Sequence, residues 1–122
     1  MADAALEISE KEWQAQVVAL ARTLGWHGLY HVFDSRRSAS GFPDLVLVRE
    51  RVVYVELKSA TGKVSAAQKQ WVGWLLDAGA EVYVARPRDL EAVGAILGSV
   101  VHSRQAPLAL GLLERTRDEI DC

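Results

Sequence analysis

The sequence predicts one α/β domain of element order αβββαβα, a mixed sheet flanked by helices, and three stretches carry that reading. Near the start, Trp13, Val17, Leu20 and Leu24 recur at helical spacing. In the middle, the β-forming runs 45–48 and 52–57 flank a charged break, Arg49-Glu50-Arg51, and read as a hairpin. After it, a serine-capped helix leads to a short apolar strand over 81–85. At 122 residues the chain is long enough for one compact core and too short for two.

The first helix runs from Ser9, its natural N-cap, to Leu24, where Gly25 stops it. Residues 28–33 alternate Leu29, His31 and Phe33 against Tyr30 and Val32, a first strand leading into a loop of arginines and serines. The hairpin follows. Ser65 then caps a helix reaching Asp77, with Gly79 as terminator and Trp71, Trp74 and Leu75 as its apolar face, core residues by their spacing. The strand over 81–85 ends at Arg86-Pro87, and a last core helix runs from Asp89 to about Leu97. That strand is expected to lie centrally, beside the Glu56 strand. We divide the chain into a core over 1–98 and an extension over 99–122. In the extension, Leu108, Leu110, Leu112 and Leu113 precede a charged run, leaving open an added helix or a frayed tail.

Chemistry concentrates in the hairpin. With the turn centred on Glu50, an antiparallel register makes Asp44 and Glu56 cross-strand neighbours. Strand alternation puts Glu56 and Lys58 on one face and sends Leu57 into the core. Facing carboxylates in an apolar setting repel, and a divalent cation removes the conflict. Hard oxygen ligands suit Mg²⁺ or Mn²⁺, which implies a phosphate ester as substrate and metal-assisted hydrolysis with Lys58 beside the reacting group. The competing reading leaves Glu56 and Lys58 on the solvent face of an edge strand, with Asp44 serving the turn after Pro43.

Pro43-Asp44, Glu56-Leu57-Lys58 and Gln68 in the following helix resemble the PD-(D/E)-x-K nuclease superfamily, and within it the virus-type replication-repair nuclease (VRR-NUC) group with its stand-alone phage forms. The resemblance runs from about Glu10 to Leu97. It implies a restriction-endonuclease-like core and Mg²⁺- or Mn²⁺-dependent cleavage of DNA. It also implies metal ligation by Asp44, Glu56 and the Leu57 carbonyl, a catalytic Lys58, and Gln68 pointing into the site. An acid on the first helix would join them. Glu10 is preferred because it shares a face with Gln14, whereas Ser9-x-x-Glu12 is a capping box. Gln68 also sits in a capping-box position, Ser65-x-x-Gln68, and the two roles are compatible. Compact relatives resemble Holliday-junction resolvases acting as homodimers, so branched DNA and a twofold dimer are the expectation.

The net charge of −2 argues against a broad basic DNA surface, but Arg36, Arg37, Arg49, Arg51, Lys58, Lys63 and Lys69 gather in the central segment and predict a local basic rim. Arg36 and Arg37 with Ser38 and Ser40 suit phosphate contact, or form an ordinary solvated loop. His31 either packs and hydrogen-bonds or touches DNA. The only cysteine, Cys122, is the last residue, which leaves no internal disulfide and no cysteine-based zinc cage. No apolar run approaches a membrane span, and the start lacks a basic signal region, so a soluble, cytoplasmic protein is expected; the resemblance to stand-alone phage forms implies a bacterial or phage source. Two other classes are weighed: a non-catalytic DNA-binding module on the same fold, and a hydrolase of small phosphate esters. A nickase, flap or restriction-type nuclease shares the preferred chemistry.

Overall fold

A computed structural model describes residues 8–32, 39–99 and 107–121. In chain order the elements are α1 (Glu10–Thr23), β1 (Gly28–His31), β2 (Leu45–Val48), β3 (Val52–Leu57), α2 (Ala66–Asp77), β4 (Glu81–Ala85), a 3₁₀ turn at Pro87–Asp89, α3 (Leu90–Gly98) and α4 (Pro107–Asp121). The expected αβββαβα order is present, with α4 added.

Each helix starts where its cap dictates. Ser9 Oγ accepts the Glu12 N–H at 3.1 Å, and Ser65 with Gln68 closes a full capping box. Gly25 and Gly79, at φ +86° and +83°, take the left-handed conformation that ends α1 and α2. The buried stripe of α1 is Trp13, Val17 and Ala21, with Leu20 and Leu24 packed at its margin.

The sheet has order β1-β2-β3-β4. The first three strands are antiparallel, and β3 and β4 are parallel, which requires a crossover that α2 supplies. Strand β1 ends at His31, sooner than expected, and Phe33 lies outside the described residues. Strand β4 does pair with the Glu56 strand, but it is an edge strand rather than a central one. All five of its residues are nonetheless buried, because α2 and α4 cover it.

Alternation divides the core in two. Leu45, Leu47, Val53, Val55 and Leu57 face α1 and α3 in the main cluster, with Trp13, Trp26 and Ile96 among the fully buried side chains. Trp13 and Trp26 place their indole N–H groups on the carbonyls of Ala85 and Leu97, at 3.0 and 2.9 Å, so neither ring buries an unpaired donor. On the opposite face Val72 of α2 meets Val82 and Val84. This corrects the reading of α2: its fully buried residue is Val72, while Trp74 is 52% exposed and Trp71 only half-buried, because α2 packs on β4 and α4 through its other side.

A second correction concerns Arg49 and Arg51. Both guanidinium groups stack on Trp26, at 4.4 and 5.2 Å from the ring. Arg49 donates to the Leu24 and Leu97 carbonyls, and Arg51 to Ile96, Ser99 and the buried Glu81. They knit the hairpin turn to the ends of α1 and α3, at the far end of the strands from Glu56. They therefore form no part of a basic rim. Glu50, between them, is pulled down to about 2 by its hydrogen bond to Arg49.

The last stretch of chain, open in sequence between helix and tail, forms α4, which buries Ala109, Leu112 and Thr116. Thr116 Oγ1 accepts the Val84 N–H at 3.0 Å, so a helix side chain satisfies a backbone donor of the edge strand. Arg86 pairs with Glu119, and Arg115 with the buried Asp89, whose other oxygen accepts the Arg86 N–H. Nothing local in the sequence signals these pairs, because they join positions far apart in the chain. Asp89 thus belongs to the 3₁₀ turn, and α3 begins one residue later than expected.

Candidate active site

The hairpin register is the expected one: Leu45 pairs with Val55, which sets Asp44 one step beyond, opposite Glu56. Asp44 Oδ2 accepts the Leu57 N–H at 2.9 Å, and its backbone carbonyl accepts the Val32 N–H at 3.0 Å. Its side chain is thereby held by β3, and its backbone by the residue that follows β1. Pro43 before it is buried and has no N–H to satisfy.

Glu56 is 1% exposed. Its Oε2 accepts from Gln68 Nε2 at 2.9 Å, while Gln68 Oε1 accepts the Ser65 N–H at 2.9 Å. One amide therefore caps α2 and holds the carboxylate, and the two roles weighed for Gln68 coexist. The other oxygen, Oε1, has no hydrogen-bond partner among the described residues. Burial first, then the adjacent Asp44, by its charge and by the carboxyl–carboxyl hydrogen bond that forms when Glu56 holds its proton, push the Glu56 carboxyl up to about 9, against an opposing pull from Lys58. Glu10 adds to the upward push, which brings its charge within reach of the pair.

An open cleft of about 640 Å³ leads to this corner, lined by Glu10, Gln14, His31, Gly41, Asp44 and Gln68 among others. The Gln14 amide meets the His31 imidazole across it, so His31 is both hydrogen-bonded and at the cleft wall. Lys11 and Phe42 also line the cleft without having been singled out in sequence. Glu10, Gln14 and Val18 lie four apart, and that spacing was the available signal for this face of α1. Gly41, at φ +85°, permits the tight join: a Cβ there would stand 2.3 Å from the Ala67 carbonyl carbon. The loop before Asp44 can thus touch the first turn of α2, and Phe42 packs edge-on against Tyr54 and Trp71.

Of the remaining candidates, Ser40 is exposed on the turn before Gly41, and Lys63 lies in a separate basic pocket. Arg36, Arg37 and Ser38 lie outside the described residues. Among the described residues no group of three or more His, Cys, Asp and Glu side chains is arranged to hold a metal ion. The acidic centre is the Asp44–Glu56 pair, with Glu10 further along the cleft. That pair still suits a cation: an unpartnered buried carboxylate oxygen beside a second carboxylate is an electrostatic deficit that a hard ion offsets.

A mixed sheet bearing two acids, a lysine and a helix-borne glutamine at one end is the architecture of a nuclease. The family is specific: the VRR-NUC domain model matches residues 4–89, and the chain belongs to that family. Its fold is restriction-endonuclease-like, and DNA is the substrate that this nuclease domain implies. Nucleases of the PD-(D/E)-x-K type use divalent metals. No curated protein and no solved structure matches the chain. Among the described residues no helix is long and apolar enough to cross a membrane. Helices α3 and α4 lie beyond the matched residues.

Proposed function

We propose that the protein is a Mg²⁺- or Mn²⁺-dependent endonuclease that hydrolyses phosphodiester bonds in branched DNA, with a Holliday junction as the preferred substrate. The observation that carries this reading is the buried Glu56 carboxylate, held by Gln68 on one oxygen and unpartnered on the other, beside Asp44. Asp44, Glu56 and the Leu57 carbonyl would hold the ion, with Glu10 in support. When bound, such an ion polarises the phosphoryl group and offsets its negative charge. Lys58, two residues beyond Glu56 on the same face, orients the attacking water and stabilises charge developing on the phosphate. Gln68 keeps the Glu56 carboxylate turned toward the cleft without competing as an anion. Asp44 keeps its place through the Leu57 N–H. His31, Ser40, Arg36, Arg37, Ser38 and Lys63 serve DNA binding in this reading.

Branched DNA is favoured because a chain of 122 residues offers little surface for reading base sequence, and paired cuts in a symmetric junction suit a homodimer. The reading also places the protein inside a bacterial or phage-infected cell. The test incubates labelled four-way junction, flap and plain duplex with the protein and Mg²⁺ or Mn²⁺. Paired cuts near the branch are expected, with Lys58→Ala and Asp44→Ala inactive. Binding by the unaltered protein without cuts in any substrate would replace this reading with that of a non-catalytic DNA-binding module.

A further inference from the structure

Helix α2 has a second concave surface on its other side. Gln68 lines the acidic cleft and the next residue, Lys69, lines a separate pocket of about 480 Å³ together with Lys63, Arg86, Arg88, Gly62 and Glu119. Its one carboxylate, Glu119, is already bonded to Arg86, and Lys63 and Arg88 add two further cations at its rim. The surplus charge is therefore positive in a molecule whose net charge is −2.

The pocket has a rigid wall. Arg86 is 8% exposed and donates to the Ser59 carbonyl and to both oxygens of Glu119, which clamps the loop after β3 between β4 and α4. That loop carries Lys63, while Arg88 stands on the 3₁₀ turn opposite; both are exposed. The pocket also abuts the proposed site: a Cβ at Gly62 would lie 3.6 Å from Cδ of Lys58 and 3.0 Å from Ser59 Oγ. The loop thus packs on the stem of the lysine. An acidic corner and a basic pocket thus share one loop and the first turn of α2.

We propose that this pocket is a second phosphate subsite, in which Lys63 and Arg88 grip a backbone phosphodiester of the same DNA molecule a few nucleotides from the bond held at Asp44 and Glu56. The proposal rests on the nuclease reading and assigns a surface to it. A phosphate there is neutralised by the lysine and the guanidinium, the latter able to bind two phosphate oxygens at once. Such contacts position the strand without reading its sequence. Because the loop packs on Lys58, occupancy of the pocket steadies the lysine beside the bond to be cut.

The experiment measures binding of a labelled duplex and a labelled four-way junction by fluorescence anisotropy in EDTA, across a salt series, for the whole protein and for Lys63→Gln, Arg88→Gln and the double variant. Arg22→Gln, an exposed cation on α1, is the control. Each pocket substitution is expected to lower the slope of log affinity against log salt by about 1, the double variant by about 2, on both DNA forms alike, with Arg22→Gln unchanged. Unfolding curves matching the unaltered protein keep the readout on binding. Slopes that stay at the unaltered value in both single variants and in the double overturn the subsite. If the unaltered protein neither binds nor cuts any DNA form, the nuclease reading itself fails; if it binds and cuts while the slopes hold, only the subsite fails.

Discussion

Gln68 Nε2 donates to Glu56 Oε2 at 2.9 Å, joining the first turn of α2 to the last residues of β3, while the other oxygen of the same carboxylate has no partner among the described residues. An acid placed this way works against the fold when charged and toward a cation when one is present. The pH dependence of stability follows from that conflict.

Without divalent cations, Glu56 is protonated in the folded state up to about pH 9 and ionised in the unfolded chain above about 4.5. Between those values the folded state holds the extra proton, so stability is greatest below about 4.5 and falls as pH rises toward 9. Urea unfolding in EDTA from pH 5 to 9 should show this decline. Glu56→Gln removes it, and at pH 7–8 the variant should be more stable than the unaltered protein by on the order of 1–3 kcal/mol while losing cleavage. A variant less stable at alkaline pH would show that the carboxylate is not buried against its charge.

The same carboxyl couples metal to proton. A cation that binds the ionised pair displaces the Glu56 proton, so Mn²⁺ should raise the melting temperature more at pH 8 than at pH 6. Asp44→Asn should abolish that rise while leaving the metal-free melting temperature within a few degrees. Calorimetry of Mn²⁺ binding in two buffers of different protonation enthalpy counts the released proton directly. No release would sink the Asp44–Glu56 pair as the ligand set.

Gly41→Ala should be costly at a position that looks like an ordinary loop. The added methyl meets the backbone of Ala67 at 2.3 Å and sits on a left-handed residue, so relaxation must push the loop off α2. A loss of about 2–4 kcal/mol is expected, with activity falling further than stability because the Gln68–Glu56 bond lies just beyond that join. Thermal melts and cleavage rates measured on one preparation separate the two losses.

Thr116→Val tests whether α4 is built into the sheet. The substitution is nearly isosteric but leaves the Val84 N–H of an edge strand buried and unpaired, a cost of about 1–3 kcal/mol. Thr116→Ser keeps the acceptor and should recover most of it. Hydrogen exchange at the Val84 amide should quicken in the valine variant alone.

Much of the fold is legible along the chain because its signals are short-range. Ser9, Ser65, Gly25 and Gly79 mark helix ends through their own backbone bonds. The hairpin register follows from a symmetric turn at Glu50, so the Asp44–Glu56 apposition is readable from spacing alone. Gln68 is readable as a cap for the same reason.

The chain by itself therefore determined where α1 and α2 begin and end, which strands form the hairpin, and that two acids and a lysine meet at one end of it. Only the tertiary structure decided what those charges face. Arg49 and Arg51 look like DNA contacts until Trp26 and the ends of two helices come round to take them. Trp74 looks like core until α2 is seen to pack on β4 and α4, which leaves its outer side uncovered. Burial, partner choice and the edge position of β4 depend on contacts between residues tens of positions apart, and local periodicity carries no record of them.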